Sequence, residues 1–310
     1  MNRVGFIGTP DSDDLSRKLL DLGGCEVSVW NPEEGSGATE CAELAAFADI
    51  PLIVLTGCID RCRQVARQLG DVITGRHVVV HTIRGIETST LNTVSDILHE
   101  ETPTRRIGFV TGPMQSRDLE EERPASAVCA SYFPEVHDLV EEAMMSTRLR
   151  VYRSRDLVGA ELASAYTRVI ALVCGIGAAL DMGPSLAATL FTRGLAEAGR
   201  FVVAQDGHER TCFGLSGAGN LYVDIFDQGS VDFAIGRHLV ETNEVDLDVL
   251  VETFGTGARE LFDLVTALEE MADKTALELH LLDAVTALVT SGVDTSTVVR
   301  ELMALPALYE

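Results

Sequence analysis

Residues 153–201 read RSRDLVGAELASAYTRVIALVCGIGAALDMGPSLAATLFTRGLAEAGRF, and a glycine-rich segment, GLSGAGN, follows at 214–220. Apolar residues recur through this stretch at helical spacing, with breaks at Gly and Ser. The same helical spacing of apolar residues continues to LMALPALYE at residues 302–310. We therefore predict that residues 153–310 form an all-helical domain.

The first half of the chain has a different pattern, in which short runs rich in Val and Ile alternate with segments of helix length. The runs are NRVGFIG (2–8), CEVSVWN (25–31), PLIVLTG (51–57), HVVVHTI (77–83) and RIGFVTG (106–112). Residues 14–22 and 60–69 are predicted helices between them. This alternation indicates an α/β domain with a parallel, doubly wound sheet covered on both faces. A boundary near residue 152 is expected, with residues 1–152 as a Rossmann domain.

The composition is strongly acidic. Asp and Glu total 48 against 24 Lys and Arg, which gives a net charge of -24, and the only lysines are Lys18 and Lys274. Nucleic acids and anionic membranes require a basic face, so neither is an expected partner. The start of the chain resembles no signal peptide, and a cytoplasmic location is expected. The acidity reflects either solubility in a saline cytoplasm or base composition.

The seven cysteines are odd in number and mostly lie in apolar segments. They are Cys25, Cys41, Cys58, Cys62, Cys129, Cys174 and Cys212. This pattern is typical of buried, reduced thiols. Cys58 and Cys62 have a C-x3-C spacing, but no second Cys or His pair follows at a zinc-site spacing, so no metal is predicted.

The loop after the first predicted strand carries the first candidate cofactor residues, Gly8, Thr9, Pro10 and Asp11. A Rossmann fingerprint needs glycines that let the backbone approach a pyrophosphate. Here only Gly8 fits, because Pro10 and Asp13 stand at the second and third glycine positions. Carboxylates beside a pyrophosphate are unfavourable because both groups are negatively charged. At the N-terminus of a helix, in contrast, the same carboxylates are favourable. The loop is either a weakened dinucleotide site or a helix cap.

The second predicted strand ends at Trp30 and Asn31, with no arginine nearby that could meet a 2′-phosphate. If a dinucleotide binds, NAD is therefore favoured over NADP, with Asn31 at the cofactor. Asn31 could equally be a turn residue.

The helical half resembles the NAD-dependent glycerol-3-phosphate dehydrogenases, since TRGLAE at residues 192–197 reproduces the T-R-G-L-A-E of that family. In the first half, TGC (56–58), IRGIE (83–87) and GP (112–113) stand where the family has V-P-S, T-K-G-I-E and G-P-S. The resemblance implies a 6-phosphogluconate dehydrogenase-like architecture, NAD or NADP as cofactor, contacts from Thr56 and Gly57 to it, and a homodimer.

The resemblance also locates altered site residues. GAELASAYTRV (159–169) corresponds to G-V-E-x-x-G-A-L-K-N-V, which puts Thr167 at the catalytic lysine and Arg168 at the next asparagine. GNLYVDI (219–225) and SVDFAIG (230–236) correspond to G-D-L-x-x-T-C and S-R-N-R-x-x-G. The family's aspartate, threonine and phosphate-binding arginine become, respectively, Asn220, Asp224 and Val231.

One substrate contact keeps its charge, because Arg84 stands at a substrate-contacting lysine of the family. A threonine hydroxyl cannot take over the proton relay of the missing catalytic lysine. If the chain is an enzyme, Arg84 and Arg168 form an anion clamp, and Thr167 and Asn220 hydrogen-bond a small anionic substrate. The substrate is then a phosphorylated or phosphonate analogue of dihydroxyacetone phosphate.

The residues also allow other interpretations. His81, Tyr166 or a water molecule could supply the proton, although His81 could simply bond to backbone and Tyr166 could belong to the core. Glu161 could pair with Arg168. The chain could also have lost catalysis and act as a dehydrogenase-like binding or regulatory protein, or as a structural dimer subunit that uses the helical domain.

Overall fold

The protein is described here by a computed structural model that covers residues 3–8, 24–32, 43–115, 118, 121–226, 230–243 and 245–291. The chain divides into two compact units, Met1–Glu161 and Leu162–Glu310. Residue 152, the boundary expected from the sequence, lies inside the last strand of the first unit.

The first unit is built on one seven-stranded sheet. Its strands are β1 (Arg3–Ile7), β2 (Glu26–Trp30), β3 (Leu52–Leu55), β4 (Val78–His81), β5 (Arg106–Thr111), β6 (Ala125–Ala130) and β7 (Leu149–Ser154). They lie in the order β2-β1-β3-β4-β5-β6-β7, and every neighbouring pair is parallel except β5 and β6. The five predicted strands are confirmed.

The sequence patterns did not predict β6 and β7, and the antiparallel step between β5 and β6 departs from an all-parallel sheet. The β6 sequence, ASAVCA, is rich in small residues rather than in the Val and Ile that marked the other strands. Strand β7, LRVYRS, lies at the sheet edge and alternates buried with exposed side chains over its first four residues. Neither strand therefore has the uniformly apolar sequence of a central parallel strand.

In the described part of the first unit, the helices that cover the sheet are α1 (Ile59–Gly70), α2 (Val94–Glu101) and α3 (Pro134–Met144), and a 3-10 helix spans Leu44–Asp49. One sheet face packs on α3 through Val136 and Val140, and the other packs on α1 and α2 through residues such as Leu69 and Ile97. The doubly covered sheet and the predicted helix at 60–69 are thus confirmed. The predicted helix at 14–22 lies outside the described residues.

The second unit is helical in its described part. The helices are α4 (Leu157–Ala179), which begins in the first unit, α5 (Gly183–Ala204), α6 (Glu209–Cys212), α7 (Asn220–Ile225), α8 (Val231–Thr242), α9 (Leu247–Phe254), α10 (Thr256–Lys274) and α11 (His280–Ser291). A π-helical turn, Leu215–Gly219, leads into α7. Helix α4 is long and apolar enough to cross a membrane, but 89% of its most apolar window is buried inside the protein. It is therefore a core helix.

Six cysteines lie in the described part of the chain, and all six are reduced. Cys25 and Cys58 are partly exposed, whereas the other four are buried. Burial raises the pKa of Cys62, Cys129 and Cys174 to about 12. Cys41 lies outside the described residues.

These raised pKa values predict unreactive thiols, because the thiolate is the nucleophile in disulfide exchange. We expect Cys62, Cys129 and Cys174 to resist Ellman's reagent at pH 8 in the folded protein and to react after unfolding in urea. Mass spectrometry of tryptic peptides would locate the modified thiols. Labelling of Cys62 at the same rate in folded and unfolded protein would contradict the prediction.

Candidate functional site

The carboxyl ends of three adjacent strands bring together four of the predicted cofactor residues. These follow β1, β2 and β3 in turn and are Gly8, Asn31, Thr56 and Gly57. The Gly8 N–H donates to the Trp30 carbonyl at 3.3 Å, and the Thr56 N–H donates to the Ile7 carbonyl at 2.8 Å. The other predicted members, Thr9, Pro10 and Asp11, lie outside the described residues.

This edge has the topology that suits a nucleotide. The chain runs from β1 to β2 on one side and then crosses to β3 on the other, so the direction of winding reverses between β1 and β3. Ligands of open α/β sheets bind at this reversal, outside the carboxyl ends of the strands. Gly57 has φ 113°, a conformation that favours glycine, and Asn31 is buried beside the end of β2. Gly8, Asn31, Thr56 and Gly57 could therefore contact a dinucleotide.

Arg84 follows the end of β4 in an irregular segment between two buried isoleucines, Ile83 and Ile86. Its own side chain is half-buried. Three residues later, the carboxylate of Glu87 forms a bidentate ion pair with Arg63 of α1. The segment that carries Arg84 is thus attached to the body of the first unit.

His81 makes side-chain contacts rather than the backbone bond considered from the sequence. Its Nε2 lies 3.1 Å from Glu161 Oε1 and 3.2 Å from Ser95 Oγ, and its ring stacks on Phe109. The Ser95 N–H donates to the same Glu161 oxygen at 3.0 Å. Because His81 is completely buried by these partners, it has no exposed atom with which to protonate a ligand.

Two of the predicted substrate residues converge in the helical unit. The Thr167 hydroxyl, completely buried on α4, donates to the Ser164 carbonyl at 2.8 Å. Asn220, at the start of α7, donates through Nδ2 to the Ser164 hydroxyl at 3.0 Å and to the Ser216 carbonyl at 3.1 Å. Thr167 therefore bonds the Ser164 carbonyl within its own helix, and Asn220 bonds the Ser164 hydroxyl from α7.

Arg168 is buried and paired within the helical unit. Its Nε and Nη2 each donate to a carboxylate oxygen of Asp232 at 3.0 Å, and Nη1 lies 3.9 Å from Glu260. Burial lowers the pKa of Arg168, but the carboxylates of Asp232, Glu260 and Asp224 together outweigh that effect and keep the pKa raised. The guanidinium therefore remains charged, with Asp232 as its bidentate partner.

Close packing of two helices sets up this pair. A Cβ on Gly175 of α4 would lie 2.1 Å from the Phe233 carbonyl oxygen, and one on Gly236 of α8 would lie 2.0 Å from the Leu172 carbonyl oxygen. Only glycine fits at such distances, so the two backbones come into contact and bring Arg168 opposite Asp232.

The proposed pairing of Arg168 with Glu161 is wrong, because Glu161 accepts from Ser95 and contacts His81. An anion could bind Arg168 only by displacing Asp232, so the predicted anion clamp lacks its second arginine in this structure. The sequence contains a signal that Asp232 is the partner of Arg168. Both residues occupy positions at which the family motifs have asparagine. Two neutral residues are replaced there by opposite charges.

Tyr166 and Glu197 have a structural role. The completely buried Tyr166 hydroxyl donates to Glu197 Oε1 at 2.8 Å, and burial raises its pKa well above the ordinary value. Glu197 also accepts the Leu281 and Leu282 N–H groups at the start of α11. The last residue of TRGLAE therefore satisfies a helix N-terminus, and Tyr166 belongs to the core.

The remaining altered positions carry no new cation. Val231, at the position of the family's phosphate-binding arginine, has an exposed side chain, and Asp224 is buried. Tyr222 and Phe226 stack on each other with their rings 5.2 Å apart.

Among the residues that the structure describes, no cluster of three or more His, Cys, Asp or Glu side chains could hold a metal ion.

Sequence comparisons match both halves of the chain to one family. Residues 32–137 match the N-terminus of NAD-dependent glycerol-3-phosphate dehydrogenase, and residues 156–300 match its C-terminus. A glycerol-3-phosphate dehydrogenase (NAD(P)+) of Sinorhizobium fredii is 30% identical over 87% of this chain and 79% of its own length. A protein of the same name from Pseudomonas aeruginosa is 32% identical over 83% of this chain and 74% of its own length.

Solved structures support the same fold. The glycerol-3-phosphate dehydrogenase of Coxiella burnetii superposes with a TM-score of 0.86 at 21% identity, over 98% of this chain and 99% of its own. The Saccharomyces cerevisiae enzyme superposes with a TM-score of 0.81 at 15% identity, over 97% and 99% of the two chains. At these identities the likeness concerns the fold alone.

Proposed function

Because the chain belongs to the NAD-dependent glycerol-3-phosphate dehydrogenase family, we propose that it is an oxidoreductase with its own substrate preference. It transfers hydride between NAD(P) and a small ketone or alcohol that carries a phosphate or phosphonate group, other than dihydroxyacetone phosphate. The observation that carries this proposal is the exchange of the family's catalytic lysine for Thr167, whose hydroxyl is buried and bonded to backbone. The cytoplasmic location and the homodimer expected from the sequence remain predictions.

The cofactor, when bound, supplies the hydride, and the strand ends of the first unit would hold it. Gly8 and Gly57 present backbone without side chains, and Asn31 offers an amide at the end of β2. Asn31 is followed by proline rather than by a basic residue, which favours NAD over NADP.

The proposed substrate contacts follow from the alignment with the family motifs. Arg84 binds the anionic group, since arginine stays charged and presents several donors to a phosphate or phosphonate. Thr167 and Asn220 already donate to Ser164 and Ser216 in this structure, so each would have to exchange those bonds to contact a substrate oxygen. Because His81 and Tyr166 are completely buried, water is the proton donor for the alkoxide in this scheme.

A second function, a binding protein without catalysis, is favoured by one observation. Asp232 pairs with Arg168, the cation gained at the altered positions, so none of the described residues at those positions replaces the lysine or the phosphate arginine. In that case the protein would bind a dinucleotide or an anion but turn over no substrate.

Cofactor binding separates these possibilities from a purely structural role. Trp30, the sole tryptophan, is 9% exposed and ends the strand next to β1, so its fluorescence should report binding at this edge. We expect saturable quenching by NADH in the micromolar range and weaker binding of NADPH. Trp30→Phe, titrated in parallel, should lose the signal and thereby exclude optical artefacts.

Binding would justify a turnover screen with ketophosphates and ketophosphonates. Turnover of one of them faster than dihydroxyacetone phosphate supports the proposal, whereas cofactor binding without any turnover supports the binding protein. No fluorescence change up to millimolar cofactor, with an unshifted melting temperature, would refute the oxidoreductase and a binding protein for dinucleotides.

A further inference from the structure

The segment that carries Arg84 is attached to one face of α1 at two points, one helical turn apart. A Cβ on Gly85 would lie 3.1 Å from Ile59 Cβ, so the backbone of the segment packs directly on the first turn of the helix. Arg63 then holds Glu87 through Nε at 2.8 Å and Nη2 at 2.6 Å. Ile59 and Arg63 are four residues apart and share a helix face. The segment therefore lies along α1.

Arg63 is the centre of a wider ionic network. Its Nη1 donates to Glu100 at 2.7 Å and to Glu101 at 2.6 Å, both at the end of α2. The Arg63 side chain is only 20% exposed and that of Glu87 only 15%. Hydrogen bonds from Arg63 lower the pKa of the Glu87 carboxyl, so it is ionised at neutral pH. One guanidinium thus joins α1, α2 and the Arg84 segment.

The segment is also closed on itself beyond Glu87. The Glu87 N–H donates to the Asn92 carbonyl at 3.0 Å, and the Leu91 N–H donates to the Glu87 carbonyl at 2.8 Å. An antiparallel bridge joins Ile86 to Thr93, which begins α2 with a capping box. Glu87 therefore belongs both to the hydrogen-bonded loop of residues 86–93 and to the ionic network around Arg63.

We propose that Arg63 and Glu87 are positioning residues that hold Arg84 beyond the carboxyl end of β4 for anion binding. This inference rests on the anion-binding role of Arg84 in the proposed function. Arg63 keeps its hydrogen bonds to Glu100 and Glu101 when the Glu87 charge is removed. The effect of breaking this pair should therefore be local, on the geometry of residues 83–92.

Hydrogen exchange tests the positioning role without any ligand. Glu87→Gln removes the charge that holds the loop, and Glu100→Gln is the matched control because Glu100 bonds the same arginine from α2. We expect the Glu87 and Leu91 amides to exchange about tenfold faster in E87Q and at the wild-type rate in E100Q. Unchanged exchange of both amides in E87Q would overturn the inference.

Calorimetric titration with inorganic phosphate tests whether the position of Arg84 affects anion binding. We expect E87Q to bind about tenfold more weakly than the wild type, E100Q to bind normally, and Arg84→Gln to lose binding. Loss in R84Q with normal binding in E87Q would overturn the positioning role alone. If the wild type does not bind phosphate, or R84Q binds it normally, the anion role of Arg84 fails, and the inference that depends on it fails too. The exchange data would then still show whether the pair orders the loop.

Discussion

Replacing Asp232 with alanine should lower the free energy of unfolding by about 3–5 kcal/mol, because it leaves the Arg168 guanidinium buried without its bidentate partner. Arg168 is 8% exposed, so water cannot solvate the charge as it would at the surface. Glu260, at 3.9 Å, is too distant to replace two hydrogen bonds. Urea unfolding followed by circular dichroism would measure the loss.

Two further variants make the result specific. Asp248→Ala removes the carboxylate of an exposed pair with Arg259 and should cost less than about 1 kcal/mol. The double variant Arg168→Asn with Asp232→Asn installs the asparagines of the family motifs, so it should recover most of the loss. If D232A is as stable as D248A, Asp232 does not stabilise the buried Arg168 guanidinium.

Local patterns predicted the architecture well and the partners poorly. Runs such as PLIVLTG mark central strands because both faces of a parallel sheet are buried. The Arg168–Asp232 pair, however, joins residues 64 positions apart, and helical periodicity carries no information about such contacts. Glu161 was the candidate partner because it precedes Arg168 on the same helix. Only the structure shows that Glu161 already accepts a hydrogen bond from Ser95 and contacts His81.

The same limit applies to the site. Alignment with the family motifs brought Thr167 and Asn220 into one predicted group, but Thr167 bonds a carbonyl of its own helix, whereas Asn220 reaches the Ser164 hydroxyl from another helix. The alignment shows two family asparagines replaced by opposite charges, Arg168 and Asp232, but it could not show that these two residues face each other. His81 illustrates the point in the other unit, where a histidine at a strand end is completely covered by neighbouring side chains.

We expect the wild-type protein to reduce dihydroxyacetone phosphate with a kcat/KM at least about 10³-fold below that of the Pseudomonas aeruginosa relative assayed beside it. The catalytic lysine and the phosphate arginine of the family stabilise charge in the transition state, and here they are Thr167 and Val231. Neither side chain carries a charge, and Arg168 is held by Asp232. Steady-state oxidation of NADH would provide both constants.

Val231→Arg tests the origin of this deficit at a position where arginine can be accommodated, because the Val231 side chain is 48% exposed. The variant should lower KM for dihydroxyacetone phosphate by about tenfold through a charge-assisted contact, while kcat stays low because Thr167 still lacks an amine. Val249→Arg is the matched control, since Val249 is 40% exposed on α9 outside the family motifs. An equal fall in KM for both variants would indicate a general charge effect on this acidic protein. Wild-type activity equal to that of the relative would instead show that the threonine at the lysine position does not impair the reaction.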